Sequence, residues 1–412
     1  MNESFEPFAI PVMLVGLLLV IDLLLQAILR RTAVPSVVVH LAVGFALALA
    51  DWRWGWLGVS GRGVIDLLGS VGIVFLLFRV GLESHISKLL ENLRAASFIW
   101  IANVSVSGAL GFLAARYGFG LELVPSLFVA VAMTATSVGV CVAAWREERA
   151  LDSKRGQLLL DVAELDDVSA IVLMAVLFAV APLLHDGQTG TLALSVGRAA
   201  AEVLIRLALF GLALGLFARF VEAPLTRLVG GFEPAPDRLI TVVSVGLIVA
   251  AAAGALGFSL AIGAFFAGLV FSRDPEAVKL DANFDPLYDF FTPFFFIAIG
   301  MRVDPESLGG ALPLGLLLFL VAAGGKLLGG GGGSLVALQP RGAVLLGISL
   351  MPRAEIAMVI MQHGMLLGAW AVSERLFSAM VVVSLLTCLV APIAIRIQLR
   401  RETAPASPER PS

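Results

Sequence analysis

Apolar residues in this chain fall into long runs, separated by short stretches rich in charge, proline and glycine, from Phe8 to Leu399. Many runs approach the roughly 20 residues that carry a helix across the hydrocarbon of a bilayer. Their boundaries divide the chain into about thirteen spans, at 8–30, 34–50, 64–82, 95–116, 123–145, 157–184, 196–221, 238–256, 258–272, 285–301, 311–336, 342–368 and 374–399. Within lipid every backbone polar group must be satisfied internally, so the expected fold class is an all-α membrane protein with about 13 transmembrane helices.

Composition narrows the reading further. Of the 412 residues 59% are hydrophobic and only 14% charged, a surface that a soluble domain could not solvate. A formal net charge of -3 without a basic stripe gives no footprint for nucleic acid, so no polynucleotide partner is expected. Cys141 and Cys388 lie in apolar runs without a C-x-x-C spacing and read as small hydrophobic filler, and no cofactor is indicated. The first run follows an acidic start and has no small-residue cleavage site after it, so it is the first span and not a cleaved signal. Short loops on one side collect Arg30, Arg31, Lys88, Arg146, Arg149, Lys154, Arg227, Arg273, Lys279 and Arg341, with Arg400 and Arg401 at the end; the other side offers Arg53, Arg62, Arg116, Arg302 and Arg375. The positive-inside rule then puts the N-terminus outside and the C-terminus in the cytoplasm. Residues 401–412 are polar and Pro-rich and read as a disordered cytoplasmic tail, with no soluble regulatory domain expected after the membrane part.

Spans one to six and eight to thirteen form two sets of six in opposite orientation, joined by a linker helix at 196–221. Such inverted repeats are the plan of secondary transporters, whose sites lie at mid-membrane where paired helices are interrupted. Two interruptions occupy corresponding places. In the fifth span Thr134-Ala135-Thr136-Ser137-Val138-Gly139 puts three hydroxyls and a glycine at mid-depth; in the twelfth, Met351-Pro352-Arg353-Ala354-Glu355 places a proline between apolar stretches.

Between them, in the sixth span, stand the adjacent acids Asp166 and Asp167. A carboxylate at bilayer depth costs about 2.5–3.5 kcal/mol on insertion scales, so an ion or proton site is the default reading. Desolvation penalises the charged form, which lets a proton compete with a cation. One site that holds either, never both, suffices for antiport. Oxygen ligands suit a hard cation such as Na+, and Asp167 with hydroxyls and freed carbonyls of the fifth span could supply them. Neighbours on a helix point about 100° apart, so the two aspartates can take separate partners. Lys326, costly if unpaired at that depth, is the evident partner for Asp166.

The strings Phe75 to Glu83 (FLLFRVGLE), Thr134 to Gly139 (TATSVG), Glu164 to Val168 (ELDDV), Ser259 to Ser272 (SLAIGAFFAGLVFS), Pro293 to Val303 (PFFFIAIGMRV), Lys326 to Gly329 (KLLG) and Met351 to Ile356 (MPRAEI) resemble, in this order and spacing, the sodium/proton exchanger domain of the monovalent cation:proton antiporter-2 family. The resemblance implies a membrane domain over residues 1–400 acting as a homodimer. In it a core of helices at about 95–184 and 311–399 carries the ion by an elevator-like movement against a dimerisation domain at about 8–82 and 238–301. It further implies that Asp167 is the cation and proton carrier, that Asp166 pairs with Lys326, that Thr134, Thr136 and Ser137 lie at the unwound crossing near the ion, and that Arg353 and Glu355 form a charged pair on the second broken helix. Potassium/proton exchangers belong to the same family. Asp166 and Lys326 favour Na+, with Li+, over K+, and electrogenic exchange. The family's distribution implies the inner or plasma membrane of a bacterium.

Other charges read more simply. Glu164, one turn before Asp167, is either a third carboxylate near the ion path or a partner of Arg353. Asp161 lies nearer the membrane surface. Arg79 and Glu83, like Arg198, Glu202 and Arg206, have the spacing of structural i,i+4 pairs. His363 and His40 read as polar residues lining the bundle, and Gly329 to Gly333 as a close-packing run that weakens its helix. An intramembrane aspartyl protease, the competing enzyme class, needs two aspartates facing across a cleft, which adjacent residues on one helix do poorly; a transporter and not an enzyme is expected. A passive channel would require neither the lysine nor two broken helices.

Overall fold

The computed structural model describes residues 9–29, 34–83, 93–151, 153–186, 192–220, 238–256, 258–271 and 284–403. The helices are α1 (Ala9–Leu29), α2 (Ser36–Trp54), α3 (Gly58–Glu83), α4 (Leu93–Leu113), α5 (Leu123–Thr134), α6 (Val138–Glu147), α7 (Lys154–Asp186), α8 (Leu192–Phe220), α9 (Arg238–Ala255), α10 (Leu260–Phe271), α11 (Asp285–Met301), α12 (Leu308–Lys326), α13 (Pro340–Ser349), α14 (Glu355–Leu367) and α15 (Glu374–Thr403). Among the described residues nine helical stretches, with α5 and α6 counted as one, are long and apolar enough to cross a membrane; α10, α14 and parts of α9 and α11 are apolar but shorter. The chain is an all-helical, multi-pass membrane protein. The loop cations Arg30, Arg31, Lys88, Arg227, Arg273 and Lys279, Ser272, and the tail from residue 404 lie outside the described residues.

The helices pack in two sets. In one, α3 lies against α10 and α11, α2 against α11, α1 against α2 and α3, and α9 against α10. In the other, α4 packs on α5, α7 and α12, α12 runs along α15, and α5 and α7 both meet α14. The α8 helix touches α7 on one side and α10 on the other. The last helix extends to Thr403, past the expected start of the tail at residue 401. Its final turns are tied to α6 and the turn that follows it, with Arg396 2.6 Å from Glu147 and Arg400 2.8 Å from Glu148.

Glycine decides how close the second set comes together. A Cβ at Gly325 would sit 3.1 Å from Ser107 Cα, at Gly329 2.9 Å from the Ala102 carbonyl oxygen, and at Gly333 3.0 Å from Ala102 Cβ. These positions recur every four residues and so share one helical face, turned to α4. On another face a Cβ at Gly347 of α13 would lie 3.1 Å from Gly331 Cα. Backbones meet where small residues allow it, the ordinary device of membrane helix packing. The five-glycine run does weaken its helix as expected: the backbone widens into a π turn over Leu327–Gly331 before resuming. Lys326 is the last residue before that turn. Gly329→Leu is expected to overpack the α4–α12 seam at a cost of about 1–3 kcal/mol, read as a lower Tm in detergent while Gly324→Leu, with open space beside it, leaves Tm near wild type.

Candidate functional site

Two chain breaks meet at mid-bundle. The α5 helix ends at Thr134 and α6 begins at Val138; α13 ends at Ser349 and α14 begins at Glu355. The intervening segments are stitched together by Ser137 N donating to the Pro352 carbonyl at 2.7 Å, with Thr136 Oγ1 3.4 Å from the Leu350 carbonyl. Trp145 Nε1 adds a bond to Ser349 Oγ at 2.8 Å. Cys141 is buried at the same crossing, its thiol against the Ser349 carbonyl. Proline and the Thr/Ser run thus interrupt the two helices where the sequence places them.

A broken helix leaves carbonyls without amide partners at its C-terminal end, where the helix dipole is negative. Two cations answer that demand. Arg353 donates to the Met133 carbonyl at 2.6 Å, near the end of α5, and to the Met351 carbonyl at 2.8 Å, just beyond α13. Lys326 donates to the Thr134 carbonyl at 2.7 Å. The expected pairing of Arg353 with Glu355 or Glu164 is not formed: its guanidinium is spent on main-chain carbonyls freed by the breaks, and Ser384 Oγ at 2.5 Å and Cys388 Sγ at 3.5 Å donate to the Arg353 carbonyl in turn. Glu355 instead opens α14, where a carboxylate faces the positive end of a helix dipole.

The two aspartates stand in contrasting surroundings. Asp166 is fully buried, and its Oδ2 accepts from Asn103 Nδ2 at 2.6 Å, Thr136 Oγ1 at 2.7 Å and Lys326 Nζ at 3.1 Å. Lys326 is likewise fully buried and also reaches Thr136 Oγ1 at 2.9 Å. Asp167 retains 7% exposure, and its carboxylate accepts no hydrogen bond among the described residues. Glu355, Asp166, Glu164 and Lys326 lie within electrostatic reach of it. The Ser137 hydroxyl is buried beside the Glu355 carboxylate. Thr134 presents its carbonyl to the site while its hydroxyl bonds back to the Val131 carbonyl at 2.8 Å. Among the described residues no three His, Cys, Asp or Glu side chains cluster as a metal-holding group, so any cation held here draws on carboxylates, hydroxyls and main-chain carbonyls.

Sequence reasoning missed Asn103, whose signal is a single amide inside the apolar run of α4. It also missed Asp22, buried in α1 with Oδ1 2.9 Å from His40 Nε2 of α2, and with Gln26 bonded to Oδ2 at 2.7 Å. Arg79 lays its guanidinium over the Tyr288 ring, 4.1 Å from the centroid, and ties α3 to α11. Glu202 and Arg206 form the expected i,i+4 pair. His363 stacks on Phe178 with ring centroids 3.7 Å apart.

The chain belongs to the sodium/hydrogen exchanger family: the family model described as sodium/hydrogen exchanger, transmembrane, matches residues 16–401. Among curated relatives, the high-affinity Na(+)/H(+) antiporter NhaS3 of Synechocystis sp. is 27% identical over 355 residues, covering 84% of this chain and 74% of that protein. The Na(+)/H(+) antiporter of Enterococcus hirae is 26% identical over 382 residues, covering 92% and 96%. The K(+)/H(+) antiporter subunit KhtU of Bacillus subtilis is 25% identical over 338 residues, covering 81% and 79%. The sodium proton antiporter MjNhaP1 from Methanocaldococcus jannaschii has the same fold, with a TM-score of 0.72 over 95% of this chain and 98% of that one at 13% identity.

Arg353→Gln is expected to destabilise the crossing by about 3 kcal/mol, because charge-assisted bonds to buried carbonyls are lost together. Thermal unfolding in detergent checks this, with Glu355→Gln expected to change Tm far less.

Proposed function

We propose that this protein exchanges a monovalent cation, Na+ with Li+ as a second substrate, for protons across a bacterial plasma membrane, with Asp167 as the shared carrier of proton or cation. The observation that carries this reading is the asymmetry of the aspartate pair. Asp166 is committed to three donors, whereas Asp167, next to it, keeps some exposure and accepts no hydrogen bond among the described residues. A buried but uncommitted carboxylate exchanges ligands at low cost; one already holding an ammonium and two neutral donors does not. Cation entering at Asp167, with Ser137, Thr136 and Glu355 close to hand, displaces the proton, and the reverse step restores it.

The reading extends to the whole chain. The set α4–α7 with α12–α15 is the core that carries the site, and α1–α3 with α9–α11 is the dimerisation scaffold it slides against, in thirteen spans as two inverted six-helix repeats. Family membership and the packing of helices into two sets joined by α8 support this division. The N-terminus is outside, the C-terminus cytoplasmic, and two copies assemble through the scaffold. If the ion's arrival frees Lys326 from Asp166, the lysine releases a second proton and exchange is electrogenic.

In sealed proteoliposomes Na+ or Li+ is expected to collapse a preset pH gradient, and Asp167→Asn to abolish the effect. K+ driving proton flux in place of Na+ would establish the second reading, a K+/H+ antiporter, which the likeness to KhtU keeps in view. Lys326→Gln is expected to retain exchange but lose its response to an imposed membrane potential; an unchanged voltage response would refute the lysine's part in coupling.

A further inference from the structure

We infer that Asn103 of α4 is a positioning residue of the ion site, fixing which oxygen of Asp166 carries the hydrogen bonds and keeping that carboxylate in place when Lys326 lets go. The inference rests on the proposed exchange function and adds a helix to its machinery that neither broken segment supplies.

Asn103 is fully buried, and its Nδ2 makes the shortest of the three bonds to Asp166 Oδ2, at 2.6 Å. All three donors converge on Oδ2, and Asp166 Oδ1 has no hydrogen-bond partner among the described residues. Of the three, Lys326 is the one that can lose a proton and cease to be a cation. Thr136 and Asn103 are neutral and keep their protons throughout. When Lys326 leaves, two donors therefore remain on Oδ2 and hold the carboxylate in the same orientation, with Oδ1 as the oxygen still open to a dehydrated cation.

The neighbourhood holds Asn103 to this task. Asn103 Oδ1 also lacks a partner among the described residues, so the amide leaves its own acceptor unsatisfied to keep its donor on Asp166. A flipped amide would set its oxygen against the carboxylate, which fixes the orientation by charge. Gly330 packs beside the amide, where a Cβ would come 2.6 Å from Leu350 Cδ1 and 3.1 Å from Asn103 Oδ1. Nearby, Trp100 Nε1 donates to Ser169 Oγ at 3.0 Å, and Ser169 Oγ to the Asp166 carbonyl at 3.0 Å, which pins α4 to α7 beside the pair. Thr136 belongs to the unwound crossing, whereas Asn103 stands on an unbroken stretch of helix.

The test uses the full chain in proteoliposomes with Na+ as the probe cation, comparing wild type, Asn103→Leu and Asn103→Ser for apparent KM and maximal rate. Asn103→Leu keeps the volume and removes the donor. It is expected to raise the apparent KM for Na+ about tenfold at fixed pH with the maximal rate little changed. Asn103→Ser, which keeps a shorter donor, is expected to fall between Asn103→Leu and wild type. A wild-type KM in Asn103→Leu overturns the inference, as does a loss of maximal rate alone, which is what a packing role produces. Should Asn103→Leu fail to fold, Asn103→Ser decides by the same criteria. A silent wild type refutes the exchange reading itself, whereas an active wild type with unmoved variants refutes only the part given to Asn103.

Discussion

A fully buried ammonium opposite a fully buried carboxylate, Lys326 and Asp166, is the constraint on which the rest of the structure depends. Taking both charges out of water costs several kcal/mol each, and their attraction repays it only when the remaining donors and acceptors are satisfied. The helix breaks supply that satisfaction. Unwinding α5 at Thr134 frees the carbonyl that Lys326 takes, and it brings Thr136 into position to bridge lysine and aspartate. The glycine seam has the same purpose: without side chains at Gly325 and Gly329, α12 approaches α4 closely enough to seat Lys326 on the pair.

The chemistry follows from how unequally two adjacent carboxylates are treated. Donors concentrate on Asp166, and Asp167 accepts no hydrogen bond among the described residues. Arg353 donates to carbonyls at the end of α5 and just beyond α13, placing a positive charge at the negative ends of both helices. Around this compact arrangement the helices pack in two sets, with α8 touching both.

Much of this was legible in the chain. Spans show as apolar runs because lipid leaves no other solution, and the breaks show because Pro352 and the Thr134–Ser137 segment cannot sustain helix hydrogen bonding at mid-membrane. Asp166, Asp167 and Lys326 are visible because charge in an apolar run is rare. What stayed hidden depends on three-dimensional demand. Arg353 seemed to want Glu355, since nothing in a sequence marks the carbonyls that a break will orphan. Asn103 carried no periodic signal, being one amide in an apolar helix whose importance appears only when α4 meets α7. The Asp22–His40 pair was illegible for the same reason, because its members lie on separate helices. The π turn after Lys326 had a visible cause in five glycines, but its form did not.

The central claim is that one carboxylate site holds either a proton or a cation. The most direct test is transport current on supported membranes, with the apparent KM for Na+ measured across a series of pH values. Competition for Asp167 predicts a KM that rises in proportion to proton concentration on the acid side while the maximal rate stays constant. A KM independent of pH, with only the maximal rate changing, would mean that proton and cation bind apart, and would contradict the account.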